Sequence, residues 1–326
     1  MNVLPFGKQV EIVSALVRGS GVRATVAITE THKRTISKLA LRVGEGCARL
    51  LDASMRNLEA PILQFDEQWS FVHTKAAHLK SHSPTEAGDQ WTFVALDVTS
   101  RAVIFHLVGR RDSETTEMFV RNVRSRVKGR PHIAADAFKP YSDAIAVAFG
   151  KKNVDFGVLK KIYEGEDDTD DDTPSLVEKP KPEKRHRVRY KGAEKIPMFG
   201  DPKMQDVSTS LIERSNLTVR TWQRRFTRRA ITFSKSLRHH VAAIALHYAW
   251  YNFGHVHSSL RVTPAMQLGI TDHVWSVGEL VERALTAPEP PPLDVMGLDG
   301  PGGQLKLDFS APTERPKLSV IRGGRS

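Results

Sequence analysis

Apolar positions in the first sixty residues recur at helical spacing. Phe6, Val10, Val13, Leu16 and Val17 share one face before Gly19-Ser20-Gly21 breaks the pattern. A second short helix is predicted from Val22 to about Thr29. A third is predicted from near Thr31-His32-Lys33-Arg34-Thr35 through Leu39, Leu41, Val43 and Leu50. From residue 61 the period shortens to that of strands. Residues 61–72, 91–98 and 102–108 read as three strands, rich in aromatic and branched side chains. Ser113 can cap a helix whose apolar face is Met118, Phe119, Val123 and Val127. Residues 132–136 read as a fourth strand, 141–149 as a helix and 154–159 as a fifth strand. Three strands, then helix, strand, helix, strand is a mixed α/β order.

Residues 160–208 interrupt the periodicity. Glu164, Glu166, Asp167, Asp168, Asp170, Asp171 and Asp172 form an acidic run. A basic run from Lys179 to Lys191 follows, with Pro174, Pro180 and Pro182 in the same stretch. A charged, solvated insertion is expected there. From Ser210 to about Phe253 the pattern reads as a long helix again, with Trp222 and Phe226 four apart on one face. The Pro- and Gly-rich end reads as an irregular tail. The expected organisation is a helical domain at 1–60, an α/β domain at 61–285 and a tail at 286–326.

Charge narrows the class of partner. The chain has 326 residues and a formal net charge of +11, with a pI near 9.8. Such an excess suggests a polyanion, and nucleic acid is the commonest one. No acidic residue occurs from 214 to 271, a span that holds Arg214, Arg220, Arg224, Arg225, Arg228 and Arg229. That one-signed charge repels itself unless an anion is near. Near the N-terminus, a short helix, a turn and a helix with a polar, basic first turn outline a helix-turn-helix. His32, Lys33, Arg34, Thr35 and Lys38 would then face DNA. The single cysteine, Cys47, excludes an internal disulfide and a Cys-rich zinc site. No stretch approaches the roughly 20 apolar residues of a membrane helix. No signal peptide is visible, and a soluble, cytoplasmic protein without a membrane partner is expected.

Two carboxylates sit where burial is costly: Asp66 within an apolar strand and Asp136 at the end of Ile133-Ala134-Ala135. Glu213 opens the basic helix. In a ribonuclease-H-like domain the first and fourth strands are neighbours and a later helix crosses their ends, which brings all three together. Converging carboxylates repel one another, and hard oxygen ligands suit Mg²⁺. Two such ions, with Mn²⁺ as substitute, serve in-line phosphoryl displacement. Asp97 also ends a strand, but ahead of Thr99-Ser100 it reads as a hairpin-turn residue.

These segments carry a resemblance. Asp66-Glu67-Gln68-Trp69-Ser70-Phe71-Val72, the strand pair around Ala95-Leu96-Asp97, and Ala135-Asp136-Ala137-Phe138-Lys139-Pro140-Tyr141 look like transposases of the insertion-sequence-one family. So do Leu211-Ile212-Glu213-Arg214-Ser215-Asn216-Leu217 and Thr232-Phe233-Ser234-Lys235-Ser236. The segment from Tyr251 to Ala265 resembles the closing motif of many DDE transposases and integrases. Together they cover roughly residues 10–285. The resemblance implies a ribonuclease-H-like core with a five-stranded mixed sheet, Mg²⁺ use and transposon-end DNA as substrate. It carries the roles of the two aspartates and the glutamate onto Asp66, Asp136 and Glu213. Arg220, seven after the glutamate, is implied to hold a phosphate of the end DNA. Arg224, Arg225 and Arg228 would neutralise further phosphates. The expected activity is cutting of terminal inverted repeats by metal-activated water, then joining of the 3′-OH to target DNA, with a homo-oligomer bringing two ends together. The alternatives are a DNA-binding regulator that keeps the fold without cutting, and a nuclease that cuts without joining. The chain departs from the family in two ways. It cannot form the N-terminal zinc element of some members, and its charged insertion lengthens the approach to Glu213.

Overall fold

Alternation along residues 62–72 sends successive side chains to opposite sides of a sheet, and that sheet organises the molecule. The computed structural model describes residues 4–164, 189–227 and 232–288. Its helices and strands in chain order are α1 (Phe6–Val17), α2 (Val22–Thr29), α3 (Lys33–Ser54), β1 (Ile62–Val72), β2 (Gly88–Asp97), β3 (Val103–Gly109), α4 (Ser113–Arg124), β4 (His132–Asp136), α5 (Pro140–Phe149), β5 (Asp155–Glu164), β6 (Arg189–Phe199), α6 (Ser210–Trp222), α7 (Leu237–Phe253), α8 (Pro264–Gln267) and α9 (Val277–Thr286). The sheet runs β3-β2-β1-β4-β5-β6. The pairs β1–β4 and β4–β5 are parallel, and β1–β2, β2–β3 and β5–β6 are antiparallel.

The sheet is therefore six-stranded, one strand more than the pattern predicted. The extra strand, β6, lies in the stretch read as a solvated insertion. It pairs only with β5 and is largely exposed, so its sequence carries no alternation of burial. β5 also runs past residue 159 to Glu164. Residues 165–188, with most of the acidic run, lie outside the described residues, as do Arg228 and the expected tail from 289 onward.

Helices cover both faces. Phe65, Phe93 and Phe105 pack on Phe119 of α4, and Phe65 also meets Tyr141 of α5. On the other face α6 lies against β1 and β2, and α7 lies against the edge strand β3. His106 meets Tyr248, and the Asn252 amide bonds both the N–H and the carbonyl of Val103 at 3.0 and 2.8 Å. α4 begins one residue earlier than expected in its capping: Asp112, not Ser113, accepts the Thr115 N–H at 2.9 Å.

The long helix expected over 210–253 is two helices. α6 stops at Trp222, a tight turn spans Arg224–Phe226, and α7 starts at Leu237. Trp222 and Phe226 thus share no helical face. Phe226 is buried, whereas Trp222 is half-exposed beside His255.

α7 is apolar nearly all round because it is covered on both sides. The sheet lies on one side and α3 on the other. Gly44 and Gly46 let α3 approach α7 and α9, since a Cβ at either would collide with the backbone carbonyl of Ala242 or Ala284. The N-terminal helices consequently share one continuous core with the sheet domain. Among the described residues no helix is long and apolar enough to cross a membrane.

Candidate metal centre

One face of β1 is polar. Gln64, Asp66, Gln68 and Ser70 alternate along the strand and each bonds the helical layer above or the neighbouring strand. Gln64 Oε1 accepts the Leu211 and Ile212 N–H groups at 3.1 and 2.9 Å, which satisfies the open N-terminus of α6 from another element. Asn216 Nδ2 donates to Asp66 Oδ2 at 2.7 Å, and Gln68 Nε2 donates to the Asn216 carbonyl at 2.9 Å. The strand reads in sequence as rich in aromatic and branched residues, with Asp66 the costly exception within it. Instead only Leu63, Phe65 and their alternates face the α4–α5 core, and the polar row fixes where α6 lies.

Parallel pairing sets Asp66 beside Asp136. Gln64 pairs with Ala134 at the end of the β1–β4 ladder, and the two aspartates follow two residues further along each strand, with carboxylate oxygens within 4.8 Å of each other. Glu67 completes a group with them. Among the described residues, Asp66, Glu67 and Asp136 are the one set of potential ligands whose offered atoms all lie within 4.8 Å of one another. Glu67 points to the opposite face from Asp66, and its side chain is only 2% exposed. Arg111 reaches it at 3.3 Å and Asp136 at 3.9 Å, while stacking over Phe138 and Trp91. The Tyr141 hydroxyl lies close enough to couple electrostatically to Glu67, without a well-aligned hydrogen bond.

This crowding raises the acids. Burial, then the charge of Asp136 and also that of Glu213, pushes Asp66 up to about 6. Burial and the same Asp136 charge push Glu67 up to about 8. Both therefore hold protons more tightly than ordinary carboxylates.

Glu213 stands on α6, in the first turn, and its charge reaches Asp66. It is not part of the tight group. Lys161 of β5 holds its Oε1 at 2.7 Å and the Thr209 hydroxyl donates to the same oxygen at 2.6 Å. Burial would raise Glu213, but these two partners outweigh it and hold it below the usual glutamate value. Asn216 and Arg220 lie three and seven residues beyond Glu213, on the same helical face. Arg220 is half-buried. Asp97, the rival, accepts the Ser100 N–H and hydroxyl at 2.7 and 2.6 Å, which is the hairpin-turn role expected of it.

The other basic residues divide. His32, Lys33, Arg34 and Lys38 are exposed and Thr35 half-exposed on the first turns of α3. Three residues, Glu30 to His32, separate α2 from α3. Glu30 is in the left-handed conformation, and His32 Nδ1 caps α3 by accepting the Arg34 N–H at 3.2 Å. Arg224 is exposed and donates to the Gly19 carbonyl at 3.3 Å, whereas Arg225 turns inward to Ser234.

Sequence reasoning missed Glu67, Lys161, Arg111 and Asn216. The alternation of polar residues along β1 carried a signal for the α6 contact, and the i, i+3 spacing of Glu213 and Asn216 carried another. Nothing in the sequence signalled Lys161, which lies where the strand pattern fades into the charged insertion. Comparison with known protein families gives no match, and comparison with curated proteins gives none either.

Proposed function

We propose that this chain is a divalent-metal-dependent DNA transposase with a ribonuclease-H-like catalytic core. The observation that carries the reading is the meeting of the Asp66 and Asp136 carboxylates, within 4.8 Å on adjacent parallel strands, with Glu213 on a helix pinned to the same strand as Asp66. The sheet order, with antiparallel β2 and parallel β4 flanking β1, agrees with that core. Residues 4–60 would supply the helix-turn-helix that holds duplex DNA.

The carboxylates suit a hard cation. They offer oxygen donors only, Asp66 and Glu67 are raised by burial and then by the charge of Asp136, and one buried oxygen of Glu67 has no hydrogen-bond partner. Asp66, Asp136 and Glu213 would hold Mg²⁺ or Mn²⁺, with Glu67 beside them. The bound ions would supply the positive charge that phosphoryl transfer needs at the attacking and leaving oxygens. Asn216 orients the Asp66 carboxylate, and Thr209 orients that of Glu213. Lys161 neutralises Glu213 and would release it as the site loads. Exposed Lys33, Arg34 and Lys38, together with Arg220 and Arg224, would bind phosphates of the end and target DNA. Hydrolysis at a transposon end frees a 3′-OH, and attack of that hydroxyl on target DNA joins the strands. Two ends held at once require a homo-oligomer.

The second reading is a DNA-binding regulator that does not cut. The ion pair that occupies Glu213 favours it. An end-joining assay with terminal-repeat DNA and Mg²⁺ or Mn²⁺ separates the readings. Joined product supports the transposase, binding without cutting the regulator, and cutting without joining a nuclease.

A further inference from the structure

Among the described residues Arg225 has no carboxylate paired with it. Burial lowers its pKa below the ordinary arginine value, and no charge partner offsets this. Its NH1 donates to Ser234 Oγ at 2.6 Å. Glu45 and Glu86, whose charges like that of Arg225 reach His239, form no ion pair with Arg225, and Glu45 is bound by Arg238 at 2.6 Å. A desolvated guanidinium with one neutral partner is costly unless an anion completes it.

The surroundings hold that guanidinium in place. Ser234 Oγ lies 3.0 Å from His240 Nδ1, His240 Nε2 lies 3.0 Å from Ser70 Oγ, and Ser70 Oγ donates to the Gln90 carbonyl at 3.1 Å. The last bond fixes the others. Ser70 spends its proton on Gln90, so it accepts from Nε2–H. His240 Nδ1 is then an acceptor, filled by the Ser234 hydroxyl, and Ser234 in turn accepts from Arg225. Burial and the Arg225 charge keep His240 neutral, with its pKa lowered to about 3, as this order requires. Ser234 is anchored to the end of β1 by its bridge to Val72 and by the His73 N–H on its carbonyl at 2.8 Å.

We infer that Arg225, oriented through Ser234, His240 and Ser70, is a built binding site for one phosphodiester oxyanion of a nucleic-acid backbone. The site is separate from the carboxylates. Val72 is six residues beyond Asp66 on β1, roughly 20 Å along an extended strand. That distance is about six base-pair steps at 3.4 Å each, so one duplex reaches both places. The identity of the ligand rests on the nucleic-acid reading above, whereas the anion site does not.

The test measures duplex binding by the full chain against salt, for wild type, Arg225→Gln, Arg225→Lys and Ser234→Ala. Arg225→Gln should lower the slope of log K against log salt by about 0.9, the value for one phosphate contact. Arg225→Lys should keep the slope. Ser234→Ala should keep the slope and weaken binding several-fold, because the charge stays but its orientation is lost. A second arm follows thermal stability with inorganic phosphate against chloride at equal ionic strength. Phosphate should stabilise wild type more than Arg225→Gln. If wild type binds no duplex but shows this phosphate difference, the anion site stands and the nucleic-acid reading falls. If Arg225→Gln matches wild type in both arms, the inference is overturned.

Discussion

Asp66 on β1 brings a carboxylate oxygen within 4.8 Å of one of Asp136 on β4, and burial together with the Asp136 charge lifts Asp66 from 3.8 to about 6. An acid raised in the folded state binds its proton more tightly there than in the unfolded chain. Stability without metal is then lost as pH rises from about 4 through 6, and the full penalty persists above that. Asp66→Asn removes the titrating charge and keeps an oxygen for Asn216. At about pH 7.5 the variant should be more stable than wild type by roughly 1–3 kcal/mol, from a shift of about two units at 1.36 kcal/mol each. The advantage should vanish near pH 4. Thermal unfolding in chelator across this range checks it. The same variant should bind DNA as wild type does and make no cut.

How the sequence exposes some of this and hides the rest follows from where burial leaves a trace. β1, β2 and β4 alternate or run apolar because their faces are covered, so their strands and the placing of Asp66 and Asp136 are legible. β6 is exposed on both faces, so its strand is invisible to any period and the sheet is read one strand short. α6 and α7 merge in the pattern because both are helical and the sequence between Trp222 and Leu237 carries neither Gly nor Pro. Glu67 lies next to Asp66 but points to the opposite face. Adjacency in sequence gives no hint that its carboxylate turns back to within 4.8 Å of Asp66 and Asp136.

Glu67 makes the metal affinity of the site depend on pH. Its carboxyl is pushed up to about 8 by burial and by Asp136, so a cation must displace its proton. Mn²⁺ affinity of wild type should climb from about pH 6 to about pH 8, whereas that of Glu67→Gln should level off near pH 6. Calorimetric titration in buffers of different ionisation heat reads both the affinity and the released proton. Equal profiles for the two proteins would remove Glu67 from the site.

The contact between α3 and α9 depends on the absence of a side chain. A Cβ at Gly46 would collide with the Ala284 carbonyl, a backbone group that cannot turn aside. Gly46→Ala should gain helix propensity of about 1 kcal/mol and lose more through forced separation of the helices. The net destabilisation should be about 1–2 kcal/mol, measured by urea unfolding. An unchanged midpoint would show that the helices can part freely.

The exposed first turns of α3 carry Lys33, Arg34 and Lys38. If they line duplex DNA, changing all three to Gln should reduce the salt slope of binding by about 2–3, near 0.9 per phosphate. Folding should be unaffected, since Lys33, Arg34 and Lys38 side chains are exposed. Fluorescence anisotropy over a salt series reads the slope. No change would place DNA elsewhere on the chain.

The central claim is that Asp66, Asp136 and Glu213 hold divalent metal in one site. Anomalous diffraction from crystals grown with Mn²⁺ measures this directly. The account predicts Mn²⁺ bound by Asp66 and Asp136, with the Glu213 carboxylate turned from Lys161 to join them. Mn²⁺ bound only elsewhere, with Glu213 still paired to Lys161, would contradict it.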